Sequence, residues 1–98
     1  MNAIDFTKSL TDGAIPNGLP LHLQALWYGG YGDWKTAHDL IDQISGKDAA
    51  LVHAYLHRKE GDVWNADYWY SRAGSKRPHF SLEKEWEQLV ELFLSKGS

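Results

Sequence analysis

His53 and His57 stand four residues apart in the run Leu51–Lys59, a spacing that puts two imidazoles on one face of a helix and lets them share a metal ion. His38, Glu60 and Asp62 are conceivable further ligands. No cysteine accompanies them, no glutamate sits beside them as in a zinc protease, and no second paired motif completes a set. The expectation is therefore structural, with no metal and no cofactor. Both rings are expected along the seam between the second hairpin and the last helix of the chain, hydrogen-bonded and packed against aromatics such as Trp86.

A second constellation lies on the same helix, where Leu51, Tyr55 and Arg58 project together at i, i+4 and i+7 with Lys59 beside them. The matching positions one hairpin earlier are His22, Leu26 and Gly29, followed by Gly30. Missing side chains there would leave a hollow facing the guanidinium. A cation beside an aromatic wall and a glycine floor suits a carboxylate, such as a peptide C-terminus or an acidic side chain. The competing expectation is that Arg58 and Lys59 are solvated and pair with Glu60 or Asp62, worth about 0 to 1 kcal/mol.

Trp64 and Tyr68 fall where the preceding hairpin carries Lys35 and Asp39, positions that read as solvent-facing. Tyr68, Trp69 and Tyr70 span too much of a helix circumference to enter one core together. Trp64 and Tyr68 are expected to be covered by the N-terminal segment or the last helix. Left uncovered, they would anchor a partner or seal a homodimer. The stretch Lys76-Arg77-Pro78-His79-Phe80 reads as a solvated loop. Serines occupy caps and turns rather than a nucleophile elbow, and carboxylate pairs such as Asp39 with Asp42 or Glu83 with Glu87 lie on polar faces. The reading is of a protein that is not an enzyme.

The elements that position these residues follow from an internal repeat. Gly32-Asp33-Trp34-Lys35-Thr36-Ala37 recurs as Gly61-Asp62-Val63-Trp64-Asn65-Ala66, an offset of 29 residues. Each glycine marks a turn and each aspartate a helix N-cap. The pattern predicts an all-α domain over residues 1–98, with helical hairpins at about 20–45 and about 48–73. The first helix of the first hairpin is expected to stop near Gly29. Gly46 is expected to cap the end of the second. A short helix from Asn2 to about Gly13 precedes them. A closing helix at about 81–96 follows, capped by Ser81, with Leu82, Trp86, Leu89, Val90, Phe93 and Leu94 as its dry stripe. Glu83, Glu85, Glu87 and Glu91 make its wet face, so it reads as a lid on a repeat stack.

Gly61, Ala66, Tyr70, Ala73 and Pro78 stand at the spacing of the signature positions of the tetratricopeptide repeat, which the segment from Asp48 to Pro78 resembles. The first hairpin matches at Tyr28, Gly32 and Ala37 and departs at Ile41 and Ile44. The string from His53 to Asp62, with Asn65-Ala66 and Tyr68-Trp69-Tyr70, also resembles a family of small uncharacterised bacterial proteins, a likeness that implies no activity. The tetratricopeptide likeness implies two stacked hairpins and a concave face that binds a peptide or protein, here through His22, Leu26, Leu51, Tyr55, Arg58 and Lys59.

Composition narrows the partners. A net charge of -3 with interspersed signs supplies no electrostatic footprint for nucleic acid or an anionic membrane. No segment approaches the ~20 apolar residues of a membrane span, and a start without a basic, apolar leader together with the absence of cysteine suits the cytoplasm. Five Trp and five Tyr are many for 98 residues, and such rings serve small cores and binding surfaces alike. The function expected is a small cytoplasmic protein- or peptide-binding module. A metal-dependent protein using His53 and His57 and a structural homodimer are the alternatives.

Overall fold

Two glycine-aspartate corners organise the chain. In the computed structural model, which describes residues 1–97, Gly32 and Gly61 adopt left-handed φ values of 100° and 89°, a region that costs a Cβ-bearing residue dearly. The backbone then restarts at once. The Asp33 carboxylate accepts from the Thr36 amide at 3.2 Å and the Asp62 carboxylate from the Asn65 amide at 3.3 Å, each filling an orphan donor of the next helix. Among the described residues the result is helices and no strand: α1 (Ala3–Asp12), α2 (Leu21–Tyr31), α3 (Trp34–Ile41), α4 (Lys47–Lys59), α5 (Val63–Arg72) and α6 (Leu82–Gly97). No helix among the described residues is long and apolar enough to cross a membrane.

α2 packs along α3 and α4 along α5 as two antiparallel hairpins, joined where α4 meets α2 and α3. The second hairpin closes tightly because Ala54 and Ala66 are both fully buried at its contact, with Tyr70 filling the space beside them. α1 starts as expected, with the Asn2 side chain accepting from the Asp5 amide at 2.8 Å, and ends at a left-handed Gly13. Its Phe6 reaches the main core with Leu26, Trp27, Leu56, Val90 and Phe93.

Several expectations about the elements differ from the structure. α2 does not stop at Gly29 but runs on to Tyr31, because its two glycines serve packing rather than a turn. A Cβ on Gly30 would lie 2.9 Å from the Trp86 ring, and one on Gly29 would lie 3.2 Å from Leu56. The hollow expected there is filled by the indole, whose Nε1 donates to the Leu26 carbonyl at 2.7 Å. Gly46 does not cap α3, which ends at Ile41; at φ 106° it is the N-cap of α4. α6 does not close the end of the stack, because it lies against α2, α4 and α1, while the backbone of α5 lies against α4 alone. Finally, Glu85 is not on the wet face of α6: it is 4% exposed, while Trp86, Leu89, Val90 and Phe93 of the expected dry stripe are indeed buried.

Candidate functional site

α4 places His53 and His57 one turn apart on its buried side, and α3 brings His38 to meet them. One ring nitrogen from each lies within 4.8 Å of the others. The His38 ring centroid is 5.2 Å from that of His53 and 5.2 Å from that of His57. Two tryptophans wall the cluster: Trp34 stacks on His38 at 4.8 Å and 13°, and Trp69 on His53 at 4.0 Å and 9°. Trp34 is fixed in turn by donating from Nε1 to the Leu56 carbonyl at 2.7 Å. The seam is therefore not the one expected. The imidazoles face α3 and α5 rather than α6, because the hairpin fold at Gly61 lays Trp69 over His53, and Trp86 is occupied on α2.

Each buried imidazole has a carboxylate at one edge. Nδ1 of His57 lies 2.8 Å from Oε2 of Glu60, one turn further along α4. A carboxylate only accepts, so Nδ1 carries the proton and donates; in the neutral ring the lone pair that can take a ligand is then on Nε2. Nε2 of His53 lies 3.7 Å from Oδ1 of Asp42, the C-cap residue of α3. Nδ1 of His53 is buried without a hydrogen-bond partner in a residue 3% exposed. An orphaned buried nitrogen costs about 1 to 3 kcal/mol, so this position calls for an explanation. Burial, and next the neighbouring His38, push the His53 pKa down from 6.5 to about 4, so the ring is neutral at physiological pH. Neutral imidazole is the form that ligates metals.

Glu60 and Asp62 also come close to His57, their ligand atoms lying within 4.8 Å of one another. Asp62 is committed to Asn65, accepting from its amide nitrogen and, at 3.4 Å, from Nδ2.

The second constellation is engaged within the chain. Leu26 and Tyr55 are buried in the main core, Leu51 is half-buried, and His22 meets the Phe93 ring edge-on at 4.5 Å. The hollow expected at Gly29 and Gly30 is taken by the Trp86 ring, and Arg58 pairs with Glu85 rather than with Glu60 or Asp62. Its Nη1 donates to Glu85 Oε1 at 3.0 Å and its Nη2 to the Phe80 carbonyl at 2.6 Å. Lys59 is exposed. α6 thus covers the face that the hairpins were expected to leave open.

Trp64 and Tyr68 are not covered by either end of the chain: they are 80% and 47% exposed on the outer side of α5. The guanidinium of Arg72 lies 5.8 Å over the Tyr68 ring and 5.7 Å over the Trp69 ring. The nearest sequence signals for the walls of the histidine cluster were local. Trp34 precedes His38 by one helical turn, and Trp69 and His53 are equidistant from the Gly61 corner, at 69 − 61 = 61 − 53 = 8 residues.

Compared with known proteins, the chain matches no family model, no curated protein and no solved structure.

Proposed function

We propose that this protein binds a divalent transition-metal ion of the zinc class through His38, His53 and His57, keeping one coordination position for water or a substrate atom. One observation carries the reading: His57 bonds Glu60 at 2.8 Å through one nitrogen, the Asp42 carboxylate stands 3.7 Å from one nitrogen of His53, and the other nitrogen of His53 has no partner among the described residues. A carboxylate that orients a ligating histidine and raises its basicity is a recurrent feature of metal centres. Nitrogens within 4.8 Å of one another need to close to about 3.4 Å around a tetrahedral ion with bonds of about 2.0–2.1 Å, a small side-chain adjustment. Three nitrogen donors suit zinc, copper or nickel rather than calcium or magnesium. They also leave a position open, as catalytic sites do and closed structural sites do not. The partial exposure of His38 gives an ion its way in.

Peptide binding by His22, Leu26, Leu51, Tyr55, Arg58 and Lys59 has less support, since Arg58 spends its guanidinium on Glu85 and Phe80 and two of the six residues are buried. The tetratricopeptide-like character and the cytoplasmic setting belong to the proposal too. The first is supported by consecutive hairpins with small residues at the α4–α5 contact, the second only by composition.

Titration calorimetry of chelator-stripped protein with zinc tests the reading, with tryptophan fluorescence as a second readout because Trp34 and Trp69 stack on two of the ligands. The expected result is one ion per chain at micromolar affinity or tighter, lost in His53→Gln and His38→Gln. The absence of saturable binding, or binding that survives both substitutions, overturns it.

A further inference from the structure

α5 is the last helix of the two-hairpin stack, and its outer face is where a third hairpin would pack. α6 turns back onto α2 and α4, so among the described residues that face has no backbone neighbour. It carries Trp64, Tyr68 and Arg72 at four-residue spacing, one stripe along the helix. Trp, Tyr and Arg are the three side chains that most often dominate association energy, and a tryptophan 80% exposed is a large apolar area left in water.

We propose that this stripe is a self-association surface on which a second copy of the chain packs its own α5, antiparallel, about a twofold axis at Tyr68. The spacing makes the stripe its own complement. In an antiparallel pair centred on Tyr68, residue numbers across the axis sum to twice 68, so Trp64 of one copy meets Arg72 of the other because 64 + 72 = 136. Each guanidinium then lies against the partner's indole, a cation–π pair made twice, and the two Tyr68 rings meet at the axis. Arg72 is already held for this. Its Nη1 donates to the Tyr68 hydroxyl at 3.2 Å, and its charge lies over the two neighbouring rings rather than in a salt bridge. Asp67, the acidic group of the same face, is turned to Arg77 of its own chain at 3.4 Å, so it does not repel its copy.

The extent of contact sets the strength. A ten-residue helix is about 15 Å long, and one face of it stays below the roughly 800 Å² per partner of a permanent dimer. The dimer is therefore a reversible one.

Sedimentation velocity of the full chain from about 10 µM to 1 mM reads the association. The expected mass rises from 11.1 kDa toward twice that value across the series. Trp64→Ser and Arg72→Glu each weaken the association at least tenfold, whereas Ile4→Glu, exposed on α1, which packs on α2 and α6 and not on α5, leaves it unchanged. The absence of cysteine allows a second readout that depends on the axis itself. Tyr68→Cys is expected to oxidise to a disulfide-linked dimer at least tenfold faster than Glu87→Cys, placed on the exposed side of α6. A chain that stays monomeric at 1 mM, an association indifferent to Trp64→Ser, or equal cross-linking of the two cysteine variants overturns the proposal.

Discussion

Arg58 and Glu85 are joined side chain to side chain across 27 residues of sequence, Nη1 to Oε1 at 3.0 Å, tying α4 to α6. The second oxygen of Glu85 accepts from the Tyr70 hydroxyl at 2.5 Å, so one buried carboxylate links three helices. Burial and the hydrogen bond to Glu85 push the Tyr70 pKa above the ordinary tyrosine range, which keeps the hydroxyl a donor at neutral pH.

Removing Glu85 strands its partners. Glu85→Ala leaves a half-buried guanidinium and a buried hydroxyl short of an acceptor, and a loss on the order of 3 kcal/mol is expected in urea denaturation. Glu85→Gln keeps an acceptor and costs less. A Glu85→Ala protein as stable as the parent would show that the carboxylate is not buried among these groups.

The close approach of Trp86 to α2 gives a second test. An added methyl gains up to about 1 kcal/mol of helix propensity in Gly30→Ala but must displace a ring only 2.9 Å away, at about 1 to 3 kcal/mol. Net destabilisation is expected. Combining Gly30→Ala with Trp86→Phe should cost less than the sum of the two single changes, a coupling that a double-mutant cycle reads directly.

The role assigned to Glu60 separates metal binding from packing. Its carboxylate is partly exposed and lies 2.8 Å from His57 Nδ1. Glu60→Gln is expected to lower zinc affinity by about 10- to 100-fold in calorimetry while shifting the stability of the metal-free protein by no more than about 0.5 kcal/mol. Equal affinity in the two proteins would detach Glu60 from the site.

Metal-free stability should depend on His53. Burial and the neighbouring His38 hold its folded pKa at about 4, with Asp42 pulling weakly the other way, whereas in the unfolded chain the ring titrates near 6.5. Between those values the unfolded state binds more protons, so stability rises with pH across the window. The full contribution is present above about pH 6.5 and is lost as pH falls toward 4. His22, lowered by burial, acts with the same sign. Melting in chelator at pH 7.0 and 4.5 should show a drop of several degrees in the parent and a smaller one in His53→Gln. Identical drops would move the effect to other groups.

Much of the candidate site was legible locally. The four-residue spacing of His53 and His57 places them on one side of α4 whatever surrounds it, and the aspartates at 33 and 62 announce the helices that follow. What was not legible was which neighbour would meet that side. Trp86 was the expected wall because it is large, yet two adjacent glycines on α2 drew its ring there, leaving Trp34 and Trp69 to enclose the histidines. Arg58 was read either as a carboxylate-binding cation or as solvated, and Glu85 entered neither reading. Glu85 belongs by spacing to a run of exposed glutamates, and only the approach of α4 and α5 to α6 turns it into a buried acceptor.

The sequence by itself determined the helices, their corners and the residues that share a face, because hydrogen-bond periodicity, capping and left-handed glycines act over a few residues. The tertiary structure alone decided that α6 covers α2 and α4, that His38 completes a triad with His53 and His57, and that Trp64 and Tyr68 remain in water. Those outcomes depend on how the volumes of distant side chains fill one shared interior, and no local spacing encodes that sum.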